Sequence, residues 1–223
     1  NLRYTTTSPI KLNAQKPSRY SNADEGPLVL PGVYSVEFYL CQNGSVTKMG
    51  NNQTFEVKTL ENSSLARQTD DNVVFKNKLA ELRRQFFGTS SQLNDFSDQL
   101  KYIKAAIQNY PSADLAWLKD VKSLEMAVVE VNNLMWGEAH LSKRDIETLP
   151  GTGGRIETIV YQTWYSTSNP TTTQKEQLEI AKNEYARIKT KVLAVQNKII
   201  EIEEKLNTKG VPYTPRRINY REE

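Results

Sequence analysis

Side chains suited to chemistry are few in this sequence: it has one cysteine, Cys41, and one histidine, His140. A thiol nucleophile wants an imidazole close by to take its proton. Cys41 ends a strand-like run just before Asn43-Gly44, whereas His140 belongs to a helical stretch far along the chain. Four residues to either side of His140 stand Trp136 and Arg144, neither of them a metal ligand, so a lone imidazole there makes a weak metal site. The adjacent carboxylates Asp70-Asp71 and Glu203-Glu204 are expected in solvent, without the facing geometry of a glycosidase pair. Gly151-Thr152-Gly153-Gly154-Arg155 suggests a phosphate loop at first sight. Such a loop ends in Gly-Lys-Ser/Thr between a strand and a helix. Here Arg155 replaces that ending and no strand precedes it, so the run reads as a flexible connection opening a short helix.

Tyr161, Trp164 and Tyr165 give the strongest positive signal. Aromatic rings beside loops stack on sugars or peptides, and spacings of three and four gather all three rings on one side of a helix. Packing the segment onto neighbouring helices is the plainer use of the same rings. No cofactor, metal set or catalytic residue is expected elsewhere. The sequons at Asn43, Asn52 and Asn62 fall in Asn/Ser/Thr-rich sequence and read as chance matches.

Charge narrows the partners. Twenty-nine Lys/Arg against 26 Asp/Glu leave a net charge of +3 over 223 residues. Residues 1–68 carry seven basic and five acidic side chains, and the remainder twenty-two and twenty-one. A nucleic-acid binder concentrates positive charge on one face or tail, and no such concentration occurs; Arg216-Arg217 to Tyr220-Arg221 is short and offset by Glu222-Glu223. No apolar run approaches the roughly 18–20 residues of a membrane span. Asn1-Leu2-Arg3-Tyr4 is not a signal peptide, and a chain that does not begin with Met reads as a processed product or a fragment.

Two textures must position these groups. Up to about residue 68, Thr, Ser, Asn, Pro and Gly punctuate short β-type runs; beyond it Leu, Lys, Glu and Gln dominate. This places a domain boundary there, giving 1–68 and 69–223. Val33, Ser35, Glu37 and Tyr39 alternate with Tyr34, Val36, Phe38 and Leu40, which predicts a strand running into a hairpin at Asn43-Gly44. Returning strands are expected at Ser45 to Met49 and Thr54 to Leu60, with Gly50-Asn51-Asn52 as the turn between them. Residues 5–27 read as loop. Three strands make a poor independent domain, so the sheet either lacks strands or leans on the helices.

Downstream, Phe75, Leu79, Leu82, Phe86, Leu93, Phe96, Leu100, Ile103 and Ile107 form one apolar stripe. The phase persists across Gly88, despite its cost of about 1 kcal/mol relative to Ala. Asn109-Tyr110-Pro111 ends that helix, and Ser112 is placed as N-cap of the next, whose stripe is Trp117, Val121, Leu124, Val128, Val131 and Met135, with a continuation past Gly137 toward Arg144. Residues 155–166 predict a short helix packed across the others. The last stripe runs Leu178, Ala181, Tyr185, Ile188, Val192, Val195, Ile199, Ile202 and Leu206, capped by Thr172 or Thr173, with Glu176 in its first turn and Lys209-Gly210 as its stop. Short connections favour an antiparallel bundle of three long helices and one short one; pairing of the last stripe with a second copy as a coiled coil is the competing use. The class is α+β.

Specific stretches resemble the C-terminal region of bacterial proteins known as glycosyl hydrolases with a sortilin-like β-propeller. Asn1-Leu2-Arg3-Tyr4 is similar to the end of that family's aromatic-Asn/Asp-Leu-Arg strand. Gly26-Pro27-Leu28 with Pro31-Gly32-Val33-Tyr34-Ser35-Val36 is similar to its Pro-Gly-x-Tyr-x-Val strand. Phe55-Glu56-Val57-Lys58 is similar to its closing strand, and Asn169-Pro170-Thr171 to the Pro-Thr start of its final helix. The segment between the hairpin strands is longer here, and the propeller is missing. The resemblance implies a small antiparallel Ig-like module followed by a helical tail, from an exported protein that is periplasmic, at the cell surface or secreted. It implies no catalytic residue in this chain, since any hydrolase activity would lie in the upstream propeller. The expected role is that of a non-catalytic accessory region whose partner is its own propeller or another protein. A carbohydrate- or peptide-binding module using Tyr161, Trp164 and Tyr165 is the alternative, with a glycan among its partners.

Overall fold

The computed structural model describes residues 2–4, 26–58 and 70–217 and has α+β architecture: a two-stranded antiparallel sheet and five helices. The loop expected over 5–27 is therefore described only at 26 and 27. The Asn62 sequon, the boundary near residue 68 and the basic residues beyond 217 lie outside the described residues.

Strands β1 (Gly32–Gln42) and β2 (Ser45–Val57) join through Asn43 and Gly44, whose φ angles of 50° and 80° give the twist a tight hairpin needs. The expected pair of returning strands is one strand. Val36 faces Gln53 while Phe38 faces Met49, so Gly50-Asn51-Asn52 forms a bulge opposite Glu37 where a turn was expected. Gly50, at φ 69°, lets the backbone bulge without ending the ladder. The Glu37 carboxylate gathers the bulge by accepting from Tyr39 Oη at 2.6 Å, Lys48 Nζ at 3.2 Å and the Asn52 amide. Those bonds hold its pKa below the usual carboxylate range, Tyr39 contributing most, and the same bond raises that of Tyr39.

Register puts Tyr34, Val36, Phe38 and Leu40 on one face with Met49 and Phe55, and the Tyr34 and Phe55 rings stack with centroids 5.8 Å apart. This face stays open to solvent at Phe38, Leu40 and Met49; the hairpin's extensive contacts are between its own strands. Residues 2–4 run beside 26–29, with an Arg3–Leu28 bridge and bonds from Tyr4 N to Pro27 O (3.0 Å) and Val29 N to Leu2 O (3.1 Å).

The helices are α1 (Asp70–Asn109), α2 (Trp117–Trp136), α3 (Ala139–Ser142), α4 (Thr152–Thr163) and α5 (Thr172–Thr208). Helix α1, about 60 Å long at 1.5 Å per residue, passes unbroken through Gly88. All nine residues of each long stripe, in α1 and in α5, are buried in one apolar core. Contacts fix directions. Thr89 bonds Tyr185 (2.8 Å) and Gln99 bonds Glu203, so α1 and α5 run the same way. Lys104 pairs with Glu125 (3.0 Å), Lys191 with Glu130 (2.8 Å) and Lys205 with Asp120 (3.2 Å), so α2 runs against both. Thr152 Oγ1 donates to Glu184 (3.1 Å) and Gln174 to Gln162 (3.2 Å), so α4 also runs against α5 and takes up the course of α2 farther down. The short helix continues that course and does not cross the others.

Three helix ends differ from expectation. Helix α2 starts at Trp117 and not after Ser112, because the Asp114 carboxylate accepts from Ala116 N at 2.8 Å and organises the turn. It stops at Trp136, where Gly137 takes φ 83°. The cap of α5 is Thr171: its hydroxyl accepts from Gln174 N (3.2 Å) and the Gln174 carboxamide accepts from Thr171 N (3.0 Å), a reciprocal capping box. No acidic residue sits in that first turn, so Glu176 has no capping role there.

Candidate functional site

The aromatic cluster lies where α4 ends and the 164–171 connection turns into α5. Helical spacing does not bring its three rings together. Tyr161 and Tyr165, four residues apart, are 81% and 61% exposed, whereas Trp164 is 2% exposed and packs in the core. The 100° step per residue carries Trp164 onto the face shared with Ile156 and Val160, both of them buried. A stacking surface is therefore left with two tyrosines, and the Arg3 guanidinium already sits 4.3 Å from the Tyr165 ring centre.

The corner is gripped from two sides. From α1, Lys76 Nζ donates to Ser166 O at 2.6 Å, and the Asn72 carboxamide donates to Ser168 O and, at 3.4 Å, to Thr167 O. From the N-terminal strands, Leu28 N donates to Trp164 O at 3.4 Å. Lys76 is only 4% exposed, and burial pushes its pKa below the usual lysine value. Above it Arg83 spans Phe87 and Trp164, 5.1 and 6.0 Å from their ring centres, and its Nε donates to Glu157 at 2.8 Å. Asn72, Lys76 and Arg83 interleave with Leu79 and Phe86 at spacings of three and four. Polar residues in phase with an apolar stripe were the available signal for this grip, and a reading confined to apolar positions passes over them.

The glycine-rich run has a packing explanation. A Cβ on Gly153 would lie 2.7 Å from the Trp136 ring and 2.9 Å from Phe86. One on Gly151 would lie 2.4 Å from Gly137 N and 2.6 Å from the Trp136 carbonyl carbon. These residues are small because α4 and the end of α2 press together there. Thr152 is the first residue of α4, so the run does open a helix, but close contact and not flexibility sets its composition.

Elsewhere, Cys41 is exposed on the hairpin. His140 lies at the surface, 3.5 Å from Glu138. Glu203 departs from the solvated reading: it is fully buried, bonded to Gln99 from α1. Beside it the chain after α5 folds back, with Arg217 Nη1 donating to Val211 O (2.9 Å) and Pro212 O (3.0 Å), while Arg216 pairs with Asp95 and Asp98 of α1. Among the described residues no group of three or more His, Cys, Asp or Glu is placed to hold a metal ion, and no helix is long and apolar enough to cross a membrane.

Comparison with known proteins finds no match to any family model, any curated protein or any solved structure.

Proposed function

We propose that this chain is a non-catalytic accessory region of a larger exported bacterial protein, serving to hold neighbouring parts in position. In this reading residues 1–68 are a partial Ig-like module and 69–223 an antiparallel bundle. The partner is the chain's own β-propeller or another protein, as the resemblance to the sortilin-like propeller family implies. One observation carries the reading: the buried charged side chains are spent fastening chain segments. Lys76 ties down the α4–α5 corner, Arg83 ties α1 to α4, and Arg217 ties down the segment after α5. An enzyme aims such groups at a cleft; here Lys76 and Arg217 donate to backbone carbonyls, Arg83 donates to the surface carboxylate of Glu157, and the buried Glu203 accepts from Gln99 of α1. Incubating the chain with aryl glycosides and with peptides is expected to give no turnover. Turnover that one substitution abolishes would overturn the proposal.

A further inference from the structure

Helix α2 is apolar on two sides. Val121, Leu124, Val128, Val131 and Met135 face the core and are buried, while Met126 and Val129, on the outer side, are 63% and 58% exposed. A bundle helix needs one apolar face, and a second one calls for cover of its own. The outer side keeps a 3, 4 spacing through Lys119, Lys122, Met126, Val129, Asn133 and Trp136, which is the seam of a coiled coil. Its middle is a hollow of about 310 Å³ lined by Lys122, Glu125, Met126, Val129, Glu130 and Asn133. Those residues make two successive four-residue sockets at i, i+3, i+4 and i+7, one over 122–129 and the next over 126–133. Sockets of this kind each receive one side chain from a facing helix.

All six lining residues belong to one helix, so the hollow has a single wall and does not enclose a small molecule. Its carboxylates are matched within the chain, Glu125 by Lys104 at 3.0 Å and Glu130 by Lys191 at 2.8 Å, which leaves none for a metal cation. A helix is the occupant that fits the sockets, and the order of polar residues along the seam selects a second copy of α2. Laid antiparallel about a two-fold axis between Ala127 and Val128, each copy puts Val129 into the socket around Met126 of the other and Met126 into the socket around Val129. Lys122 comes level with the Asn133 carboxamide, whose oxygen accepts from it, and Lys119 with the half-exposed Trp136 ring. Glu130 then stands opposite Ser123 and Glu125 opposite Asn132, so no like charges meet. A parallel pair would instead set Lys119 against Lys119 and Lys122 against Lys122. The α5 stripe, the other coiled-coil candidate, is spent in the core of its own chain.

We propose that two copies of this chain associate antiparallel through the outer face of α2, with Met126 and Val129 at the centre. The pairing goes beyond the accessory role and does not depend on it. One helix per copy makes a small contact, below about 1,200 Å² in total, so the dimer is expected to dissociate on the order of tens of micromolar. Sedimentation equilibrium of the whole chain is expected to show a mass that rises with concentration from 25.5 kDa toward twice that value. Val129→Glu is expected to weaken the association about tenfold or more, with an unchanged far-ultraviolet circular dichroism spectrum because the side chain is exposed. Asn133→Lys, which opposes a second cation to Lys122, is expected to weaken it too, and Lys122→Glu added to that variant is expected to restore it. A monomer at every concentration up to about 1 mM overturns the proposal. Association that survives Val129→Glu does the same, since it would lie on another surface such as the open face of the hairpin. Failure of Lys122→Glu to rescue Asn133→Lys overturns the antiparallel order on which the choice of partner rests.

Discussion

Lys76 shows how much one residue can do in this molecule. Its ammonium is removed from water to reach the Ser166 carbonyl, and burial lowers its pKa from the ordinary 10.5. Between that lowered value and 10.5 the unfolded chain holds a proton that the folded chain has released. Stability contributed at this site therefore rises with pH across that window. Tyr185 acts in the opposite sense above pH 10: burial raises its pKa, so the unfolded chain ionises first and the folded state loses ground. Comparing the wild type with Lys76→Met cancels the tyrosine contribution. In urea denaturation the stability of the wild type relative to Lys76→Met is expected to increase from pH 7 to pH 10; a difference constant with pH would contradict a buried, proton-releasing Lys76. None of this was legible from residue type alone, because a lysine in a helix is ordinarily solvated, and only its phase with Leu79 and Phe86 marks it as inward.

At the scale of elements, the apolar stripes of α1 and α5 were readable residue by residue, since a 3.6-residue period has one inward face and every stripe position is buried. What periodicity does not carry is how the pieces abut. The joint between α2 and α4 has backbone meeting backbone at Gly137 and Gly151 and the Trp136 and Phe86 rings meeting Gly153, and its trace in the sequence is the absence of side chains at those three glycines. Gly151→Ala places a methyl group against Gly137 N and Trp136 C, atoms that cannot rotate away. It is expected to cost more than about 2 kcal/mol, read as a lowered denaturation midpoint. Gly154→Ala, whose Cβ meets nothing nearer than Pro150 Cβ at 3.9 Å, is expected to leave the midpoint unchanged or raise it slightly. Equal loss from both would show that the joint is not the cause. In the hairpin the alternation was legible, but Gly50-Asn51-Asn52 carries the same residues whether it turns the chain or bulges it. The Glu37 network decides between the two, and that network is assembled only by pairing across strands.

For the molecule as a whole, the helices hold the core and the hairpin stands largely apart from it. All of the clustered buried apolar residues belong to α1, α2, α4, α5 or the segments directly following α4 and α5. A two-stranded sheet with an open apolar face is marginal on its own in water. Removing residues 32–57 and closing the gap with a short glycine–serine link is therefore expected to change the unfolding free energy of the helices by less than about 0.5 kcal/mol, measured by circular dichroism at 222 nm. A loss of several kcal/mol would mean that the hairpin shares the core. One more property follows from the contact between Gly137 and Gly151. Chain between those glycines leaves the scaffold and comes back at nearly the same point, and residues 142–150 all face solvent. That segment is a natural splice point, where an epitope, a fluorophore or an entire guest domain with neighbouring termini can be carried while the helices on either side keep their partners.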